Sequence, residues 1–293
     1  WDEGVKEVMR YVRHNLSRGS IANYECILNS FGKIFGGMYL HEITHEMIEE
    51  WKQNESLRTK PSSVNQKLTT LSGFFSKVQG GAYPHNPCAK IKPLKTGPQN
   101  ERFLSQSEVS RLLKAAEKVG NRFLPALIVT ALNTGMRKDD ILKMKWQDVD
   151  MEEGYVRVRT QKTGQMITLA LTADLKATLA DHFSKYKLLI MRSGGYVFPS
   201  NINVGPFHRG TQFGFGKALK EAKIEGATFH TLRHTFASHY LQQSTSGDAL
   251  VKLQKILGHS NLSTTMRYSH VTLAQIDDSM KQFSLTSNMD LSR

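Results

Sequence analysis

A proline-rich stretch near residue 100 divides the sequence into two parts, and this division constrains the fold more than any other feature. Four of the eight prolines lie in Tyr83-Pro84-His85-Asn86-Pro87 and Pro93-Leu94-Lys95-Thr96-Gly97-Pro98. Proline fixes φ and lacks an amide hydrogen, so such a run is typical of a linker. Because 293 residues suffice for two domains with ordinary cores, we predict domains at residues 1–98 and 99–293.

The first part has the pattern of a small helical bundle. Apolar residues recur at helical spacing, as in Val5, Met9 and Val12. Residues that favour helix ends predict where four helices begin or end. These predicted boundaries are Ser20, Gly36-Gly37, Thr44 and Lys60-Pro61. No segment of this part alternates as a strand does, so we predict helices throughout it.

The second part combines helices with a hairpin. Ser105-Gln106-Ser107-Glu108 has the spacing of a capping box and predicts a helix start. Residues 154–160 and 165–171 alternate as strands, with Thr163-Gly164 at the turn between them. A helix is expected from Thr172 through Tyr186, and further helices from about Thr211 onward. The predicted fold class is mainly α with a small antiparallel β-sheet (α+β), beside the N-terminal helical bundle.

The charge of the chain favours a polyanionic partner. Lysine and arginine number 39 against 26 aspartates and glutamates, a formal net charge of +13. Cys26 and Cys88 are too few for a disulfide framework and lack metal-ligand spacing, so reduced thiols in a cytoplasmic protein are expected. The sequence contains no apolar run of membrane-spanning length and no visible signal peptide.

Several residues of the second part have the side chains that phosphate chemistry needs. Guanidinium groups bind phosphate in a forked geometry, and a phenol can act as a nucleophile. His230 and Arg233 are three residues apart and would share one face of a helix. Taken singly, each residue of the set has an ordinary explanation as a surface charge, a helix cap or a core side chain. The set comprises Arg137, Lys162, His230, Arg233, His259 and Tyr268.

The order of these residues resembles the catalytic domain of the tyrosine recombinases, the phage-integrase family of DNA strand-exchange enzymes, over about residues 102–283. Four blocks and a hairpin lysine, Lys162, carry the resemblance. The blocks are Thr134-Gly135-Met136-Arg137, His230-Thr231-Leu232-Arg233-His234-Thr235-Phe236-Ala237-Ser238, Leu257-Gly258-His259-Ser260 and Thr264-Thr265-Met266-Arg267-Tyr268-Ser269-His270. The first hundred residues, with Asn86-Pro87, are similar to the family's core-DNA-binding (SAM-like) domain, though less specifically.

The resemblance implies a role for each residue in cleaving DNA through a 3′-phosphotyrosyl intermediate, without metal or other cofactor. The implied roles are nucleophile for Tyr268, phosphate clamp for Arg137 and Arg233, general acid for Lys162, proton transfer at the nucleophile for His230, and hydrogen bonding to the phosphoryl group for His259. Where the family often has Gly-Glu, this chain has Asp139-Asp140. We expect Asp140 to orient Arg137.

The resemblance also implies partners. Double-stranded DNA recombination sites would be bound by a homo-tetramer, with accessory or directionality factors. The start of the fourth helix is expected to contact DNA through Lys60, Ser62, Ser63, Asn65 and Lys67. An apolar stripe near the C-terminus would pack on a neighbouring protomer or back on its own domain; it comprises Leu273, Ile276, Met280 and Phe283. Because the chain starts at Trp1, an upstream arm-binding domain is expected.

Several functions remain open at this point. The first is an integrase of a prophage or other mobile element, acting on host DNA. The others are an Xer-type chromosome-dimer resolvase, a type IB topoisomerase and a non-catalytic DNA-binding regulator derived from a recombinase.

A separate motif, His41-Glu42-Ile43-Thr44-His45, matches a zinc-protease pattern that needs both histidines on one helix face. Because Thr44 is predicted to begin a helix, His41 would lie outside it, and we expect no zinc site there.

Overall fold

The computed structural model describes residues 1–81, 83–97, 102–160, 164–200, 205–206, 214–244 and 246–268. The chain divides into two compact units, Trp1–Gln99 and Asn100–Arg293. The division falls at the end of the proline-rich stretch. In the described residues, no helix is long and apolar enough to cross a membrane.

The first unit contains four helices, and Thr44 begins one of them as predicted. Its hydroxyl accepts a hydrogen bond from the Met47 amide at 3.4 Å. The prediction for Ser20 was wrong, because Ser17 is the N-cap and accepts the Ser20 amide at 3.3 Å, which places Ser20 in the first turn. The helices are α1 (Asp2–Asn15), α2 (Arg18–Phe35), α3 (His45–Ser56) and α4 (Pro61–Phe75), with 3-10 turns at Leu40–Glu42 and Val78–Gly81.

Aromatic side chains form the core of this bundle. Phe31 and Phe35 of α2 and Phe74 and Phe75 of α4 are almost completely buried. Trp1 packs on both helices, with its ring 5.6 Å from that of Phe35 and 4.7 Å from that of Phe74. Burying a phenylalanine side chain contributes about 1.5–3 kcal/mol, so these rings hold the helices together.

The second unit is mainly helical with a small antiparallel sheet, which confirms the predicted fold class. Its helices are α5 (Gln106–Lys118), α6 (Leu124–Thr134), α7 (Lys138–Leu142), α8 (Ala173–Arg192), α9 (Phe215–Glu221), α10 (Phe229–Gln243), α11 (Ala249–Leu257) and α12 (Ser263–Met266). Its strands, in sheet order, are β1 (Val149–Asp150), β2 (Tyr155–Arg159) and β3 (Met166–Ala170).

The sheet has one buried face, formed by alternate residues. Val156 and Val158 of β2 and Leu169 of β3 are buried, and Val156 pairs with Leu169 in the antiparallel register. Both strands of this hairpin were predicted, whereas β1 has two residues, too few to show an alternating pattern. Helix α8 also continues to Arg192, beyond the predicted end at Tyr186, where φ −121° and ψ 15° interrupt the regular helix.

Helix α10 has an unusual run of buried polar residues. Thr231, Arg233, His234 and Thr235 are each at most 7% exposed. Buried polar groups need hydrogen-bond partners, and Thr235 has them: its hydroxyl accepts the Leu104 amide at 2.9 Å and donates to the Thr231 carbonyl at 2.8 Å. These four polar side chains of α10 therefore face other segments of the second unit rather than solvent.

Candidate active site

The turn between α6 and α7 places Arg137 at the start of a helix. Gly135 ends α6 with φ +62°, a left-handed conformation that favours glycine, and its amide donates to the Ala131 carbonyl at 3.0 Å. Arg137 then adopts an extended conformation and is the N-cap of α7. The sequence Thr134-Gly135-Met136-Arg137 therefore forms a tight turn with the arginine at its exit.

Replacing Gly135 with alanine is expected to destabilise the second unit. A Cβ there would lie 2.8 Å from Leu257 Cδ2 and closer still to the Phe236 ring, besides forcing alanine to a positive φ. Backbone strain and overpacking together should lower the free energy of unfolding by about 2–4 kcal/mol in urea denaturation. Gly194→Ala is the matched control, because Gly194 has φ +89° but no atom within 4 Å of its added Cβ. Equal losses in the two variants would contradict the packing argument.

Arg233 joins three segments of the chain. The side chain is 3% exposed. Its Nη1 donates to the Gly135 carbonyl at 2.8 Å, and its Nη2 donates to the Leu257 carbonyl and to His259 Nε2, each at 2.8 Å. These bonds fix the guanidinium in one position relative to the α6–α7 turn and the end of α11.

The electrostatics of this region favour a bound anion. Burial and the nearby positive charge of Arg137 lower the pKa of Arg233 to about 10, while Tyr268 and Asp140 raise it. With a pKa of about 10, Arg233 stays charged at neutral pH. Two guanidiniums held close together repel each other, and an anion between them would relieve that repulsion.

Arg137 has a hydrogen-bond donor without a partner. Among the described residues, its Nη1 is the one buried side-chain nitrogen or oxygen atom that lacks a hydrogen bond. A buried donor left unsatisfied costs about 1–3 kcal/mol, so such an atom is rare unless a ligand completes it. Because the charge of Arg137 acts on Arg233, Nη1 is a candidate donor to an anionic oxygen bound near both arginines.

His259 is neutral and held as a single tautomer. Burial and the positive charges of Arg233, Arg137 and Arg267 lower the pKa of His259 to about 3. Its Nε2 must accept from Arg233, since a guanidinium has no acceptor. The proton therefore lies on Nδ1, which donates to the Thr265 hydroxyl at 2.9 Å. Thr265 on α12 thereby connects His259 to the segment that carries Tyr268.

The depressed pKa of His259 predicts a loss of stability in acid. The unfolded chain binds a proton at His259 below pH 6.5, whereas the folded chain resists protonation down to about pH 3, so folding weakens as the pH falls between these values. His259→Gln keeps an acceptor for Arg233 but cannot titrate, and should show a smaller loss between pH 7.5 and 5. Urea denaturation measures this, with the exposed His14→Gln as control. Parallel curves for wild type and His259→Gln would contradict the assignment.

Tyr268 is buried against a histidine of α10. Its ring is 1% exposed, and its hydroxyl lies 2.7 Å from Nδ1 of His234. The exposed His230, one helical turn earlier, contacts the His234 ring edge to face, with centroids 4.7 Å apart. Sequence reasoning gave His234 no role, although its place beside Arg233 in a run of buried polar residues was the available signal.

The structure therefore brings five predicted residues into one region and leaves one undescribed. Arg137, Arg233, His259 and Tyr268 are linked by hydrogen bonds or by their effects on pKa values, and His230 joins them through His234. Lys162 lies outside the described residues, as do the apolar C-terminal positions Leu273, Ile276, Met280 and Phe283.

Asp140 is buried next to the arginines. Its amide donates to the Arg137 carbonyl at 2.9 Å, and its side chain is 3% exposed. The negative charge of Asp140 raises the pKa of Arg233. That Asp140 orients Arg137 stays a prediction. Its carboxylate also favours the charged form of Arg233, the second arginine of the predicted phosphate clamp.

The predicted DNA-contact residues of the first unit fall into two groups. The side-chain amide of Asn65 donates to the Leu94 carbonyl and accepts from the Leu94 backbone amide, each at 2.8 Å. Lys67 forms an ion pair of 2.6 Å with Glu55. Both side chains are thus engaged within the unit. A DNA contact of this surface stays a prediction, for which Lys60 and Ser62 are exposed and Ser63 is half-buried.

The zinc-protease pattern does not form the helix that it would need. His41 lies in the 3-10 turn Leu40–Glu42, and His45 is the first residue of α3. The two histidines are therefore in different elements, as the prediction of Thr44 as a cap requires. No group of three or more potential metal ligands occurs among the described residues.

Comparison with known proteins identifies the class to which this fold and site belong. The sequence model of the phage integrase family matches residues 102–275. Tyrosine recombinase XerD of Listeria innocua is 31% identical over 76% of this chain and 76% of its own length. The integrase of Escherichia phage P2 is 27% identical, over 85% of this chain and 68% of its own. The chain belongs to the phage integrase family and is an enzyme of the tyrosine recombinase class.

Solved structures share the fold. Lambda integrase, crystallised as a dimer bound to a COC′ core site, aligns with a TM-score of 0.75 at 22% identity, covering 90% of this chain and 96% of that one. The XerH recombinase in a post-cleavage complex aligns with a TM-score of 0.72 at 19% identity, covering 94% and 83%. At these identities the likeness concerns the fold alone.

Proposed function

We propose that this protein is a site-specific recombinase of double-stranded DNA, which cleaves and rejoins strands through a covalent bond between Tyr268 and a 3′-phosphate. The buried, unpartnered Nη1 of Arg137 beside the fixed guanidinium of Arg233 is the observation that carries the proposal. A phosphodiester supplies the anionic oxygens that such a pair of donors lacks.

The residues perform the cleavage as follows. The Tyr268 hydroxyl oxygen attacks the phosphorus while the bond to the 5′-oxygen breaks. Negative charge grows on the non-bridging oxygens, where Arg137 and Arg233 stabilise it. His259 is the third phosphate ligand, and Lys162 donates the proton that the leaving 5′-oxygen needs. Religation reverses these steps, so the energy of the phosphodiester is conserved in the phosphotyrosine.

A suicide substrate tests this proposal. The recombination site is first selected by the protein itself from a library of randomised duplexes. A nick placed next to the cleavage position then lets the cut fragment diffuse away, which traps the adduct. We expect a covalent complex whose DNA-linked peptide, identified by mass spectrometry, contains Tyr268. DNA binding without any adduct would leave the non-catalytic regulator as the better description.

The proposed biological role is integration and excision of a mobile element, with the phage P2 integrase among the relatives. The 31% identity to a XerD favours chromosome-dimer resolution as a second role. Deleting the gene separates the two. Loss of the circular excision product of a neighbouring element would support the role as an integrase. Accumulation of unresolved chromosome dimers would support the role as a resolvase.

The proposed assembly is a homo-tetramer that holds two DNA sites, in the cytoplasm where DNA is accessible. A lambda integrase structure with this fold is described as a tetramer bound to a Holliday junction. The formal net charge of +13 supports binding to DNA. Light scattering of the protein with its selected duplex should give four chains per two duplexes, and accessory factors would be sought by their effect on excision.

A further inference from the structure

His234 has no role in the chemistry above, although its Nδ1 lies 2.7 Å from the Tyr268 hydroxyl oxygen. The two side chains are 7% and 1% exposed, so the contact is shielded from solvent. The resemblance assigns proton transfer at the nucleophile to His230, and the structure adds a second histidine, His234, in contact with the reacting oxygen. This contact raises the question of where the phenolic proton goes.

In the Nε2–H tautomer of His234, Nδ1 carries no proton and accepts the hydrogen bond that the Tyr268 hydroxyl donates, which is the tautomer that removal of the phenolic proton by His234 requires. A phenol has a pKa of about 10 and an imidazolium one of about 6.5, so the neutral pair is favoured over phenolate and imidazolium. At neutral pH only about one phenol in 10³ is ionised, which makes the free phenol a poor nucleophile. A base in contact with the hydroxyl removes this obstacle.

Charges of both signs lie around the pair: Arg233 and Arg137 oppose a positive charge on a nearby histidine, as they do on His259, whereas Asp140 and a bound phosphodiester favour one. Tyr268 lies near Arg233, whose pKa it raises, and Arg137 and Asp140 also act on Arg233. A phosphodiester bound there would add negative charge next to the pair. His230 is exposed, and its ring contacts that of His234 edge to face.

We propose that His234 is a catalytic base of the strand-cleavage reaction, an inference that rests on the proposed function. As the Tyr268 oxygen bonds to phosphorus and the 5′-oxygen departs with a proton from the general acid, the phenolic proton passes to His234 Nδ1. In religation the 5′-hydroxyl attacks, the phosphotyrosine bond breaks, and His234 returns the proton to the phenol.

His234→Asn separates a base from a mere hydrogen-bond partner. The asparagine amide oxygen can take the place of Nδ1 and accept from the phenol, but it cannot take the proton. Single-turnover cleavage of the nicked, protein-selected duplex should fall about 100-fold at pH 7. Because only preformed phenolate then reacts, the rate of the variant should rise about tenfold per pH unit up to pH 9, whereas the wild-type rate levels off above the pKa of an imidazole.

The control is His239→Asn. His239 lies on the same helix and its Nε2 donates to the Leu104 carbonyl at 2.9 Å, outside the proposed site. This variant should keep the wild-type rate and pH profile. Thermal unfolding and DNA affinity are measured for both variants. If His234→Asn is poorly folded at 25 °C, His234→Ala is assayed with added imidazole at a temperature where it binds DNA, and a dose-dependent rescue of the rate is expected.

A measurement without DNA tests the contact itself. In protein labelled with ¹⁵N-histidine, Nδ1 of His234 should have the chemical shift of an unprotonated nitrogen, and this shift should move in Tyr268→Phe. A protonated Nδ1 would overturn the inference. So would a His234→Asn variant that cleaves within threefold of wild type with an unchanged pH profile. Failure of the wild type to form any adduct would instead refute the proposed function, and the role of His234 with it.

Discussion

Tyr268→Phe is expected to form no covalent DNA adduct, because the variant lacks the attacking oxygen. Its cleavage rate should be more than about 10⁴-fold below that of wild type. The ring of Tyr268 is 1% exposed, and phenylalanine fills nearly the same volume. The fold should therefore persist, with a loss of about 1–3 kcal/mol for the missing bond to buried His234. Denaturing gels of the suicide-substrate reaction measure the adduct, and urea denaturation measures the stability.

DNA binding should be nearly unchanged in this variant, since Tyr268 contributes no charge to the duplex. Its affinity should fall with added salt as steeply as that of wild type. Tyr240→Phe is the matched control, because Tyr240 is a half-buried tyrosine of α10 that packs on Phe236, and it should form the adduct at the wild-type rate. An adduct in Tyr268→Phe would show that another residue is the nucleophile.

Arg137→Ala is expected to slow cleavage by about 10³–10⁴-fold, because one of two guanidiniums that stabilise the transition state is lost. Folding should not suffer. The Nη1 of Arg137 is buried without a partner, and its charge disfavours the charged form of Arg233. The free energy of unfolding should be unchanged or higher by about 1 kcal/mol. Single-turnover cleavage and urea denaturation of one preparation measure both effects.

Two further variants show whether the loss of cleavage in Arg137→Ala comes from the missing guanidinium or from a damaged fold. Arg233→Ala also removes a guanidinium, but it deprives the buried Gly135 and Leu257 carbonyls of their donor and should lower the free energy of unfolding by about 2–5 kcal/mol. Arg192→Ala removes one positive charge from the exposed end of α8 and should leave cleavage unchanged. Equal destabilisation by Arg137→Ala and Arg233→Ala would indicate a structural role for Arg137.

Most elements of the fold could be predicted from the sequence, because their signals are local. The Ser105 capping box begins α5, Thr172 begins α8, and an alternating pattern marks β2 and β3. The failures have local reasons too. Strand β1 is two residues long, and Ser20 was mistaken for a cap because Ser17, three residues earlier, offers the same hydroxyl.

The candidate site was predictable in its members but not in its contacts. The order of Arg137, Arg233, His259 and Tyr268 along the chain is enough to indicate a phosphate-cleaving site. The bond between Tyr268 and His234 spans 34 positions and crosses from the end of α12 to α10. No periodicity or spacing rule reports such a pair, since it depends on how the helices pack.

The amino-acid sequence alone therefore determined the helical and hairpin segments and the side chains available for chemistry, since these follow from local propensities and residue types, while the resemblance to the tyrosine recombinases indicated the class of enzyme. Only the tertiary structure decided the protonation, hydrogen-bond partners and burial of those side chains. Burial at the meeting point of α6, α10 and α11 makes His259 neutral and leaves an Arg137 nitrogen unpartnered. It also directs the Tyr268 hydroxyl to His234. The physical reason is that pKa values, hydrogen-bond partners and exclusion of water depend on neighbours distant in the chain, which packing alone brings together.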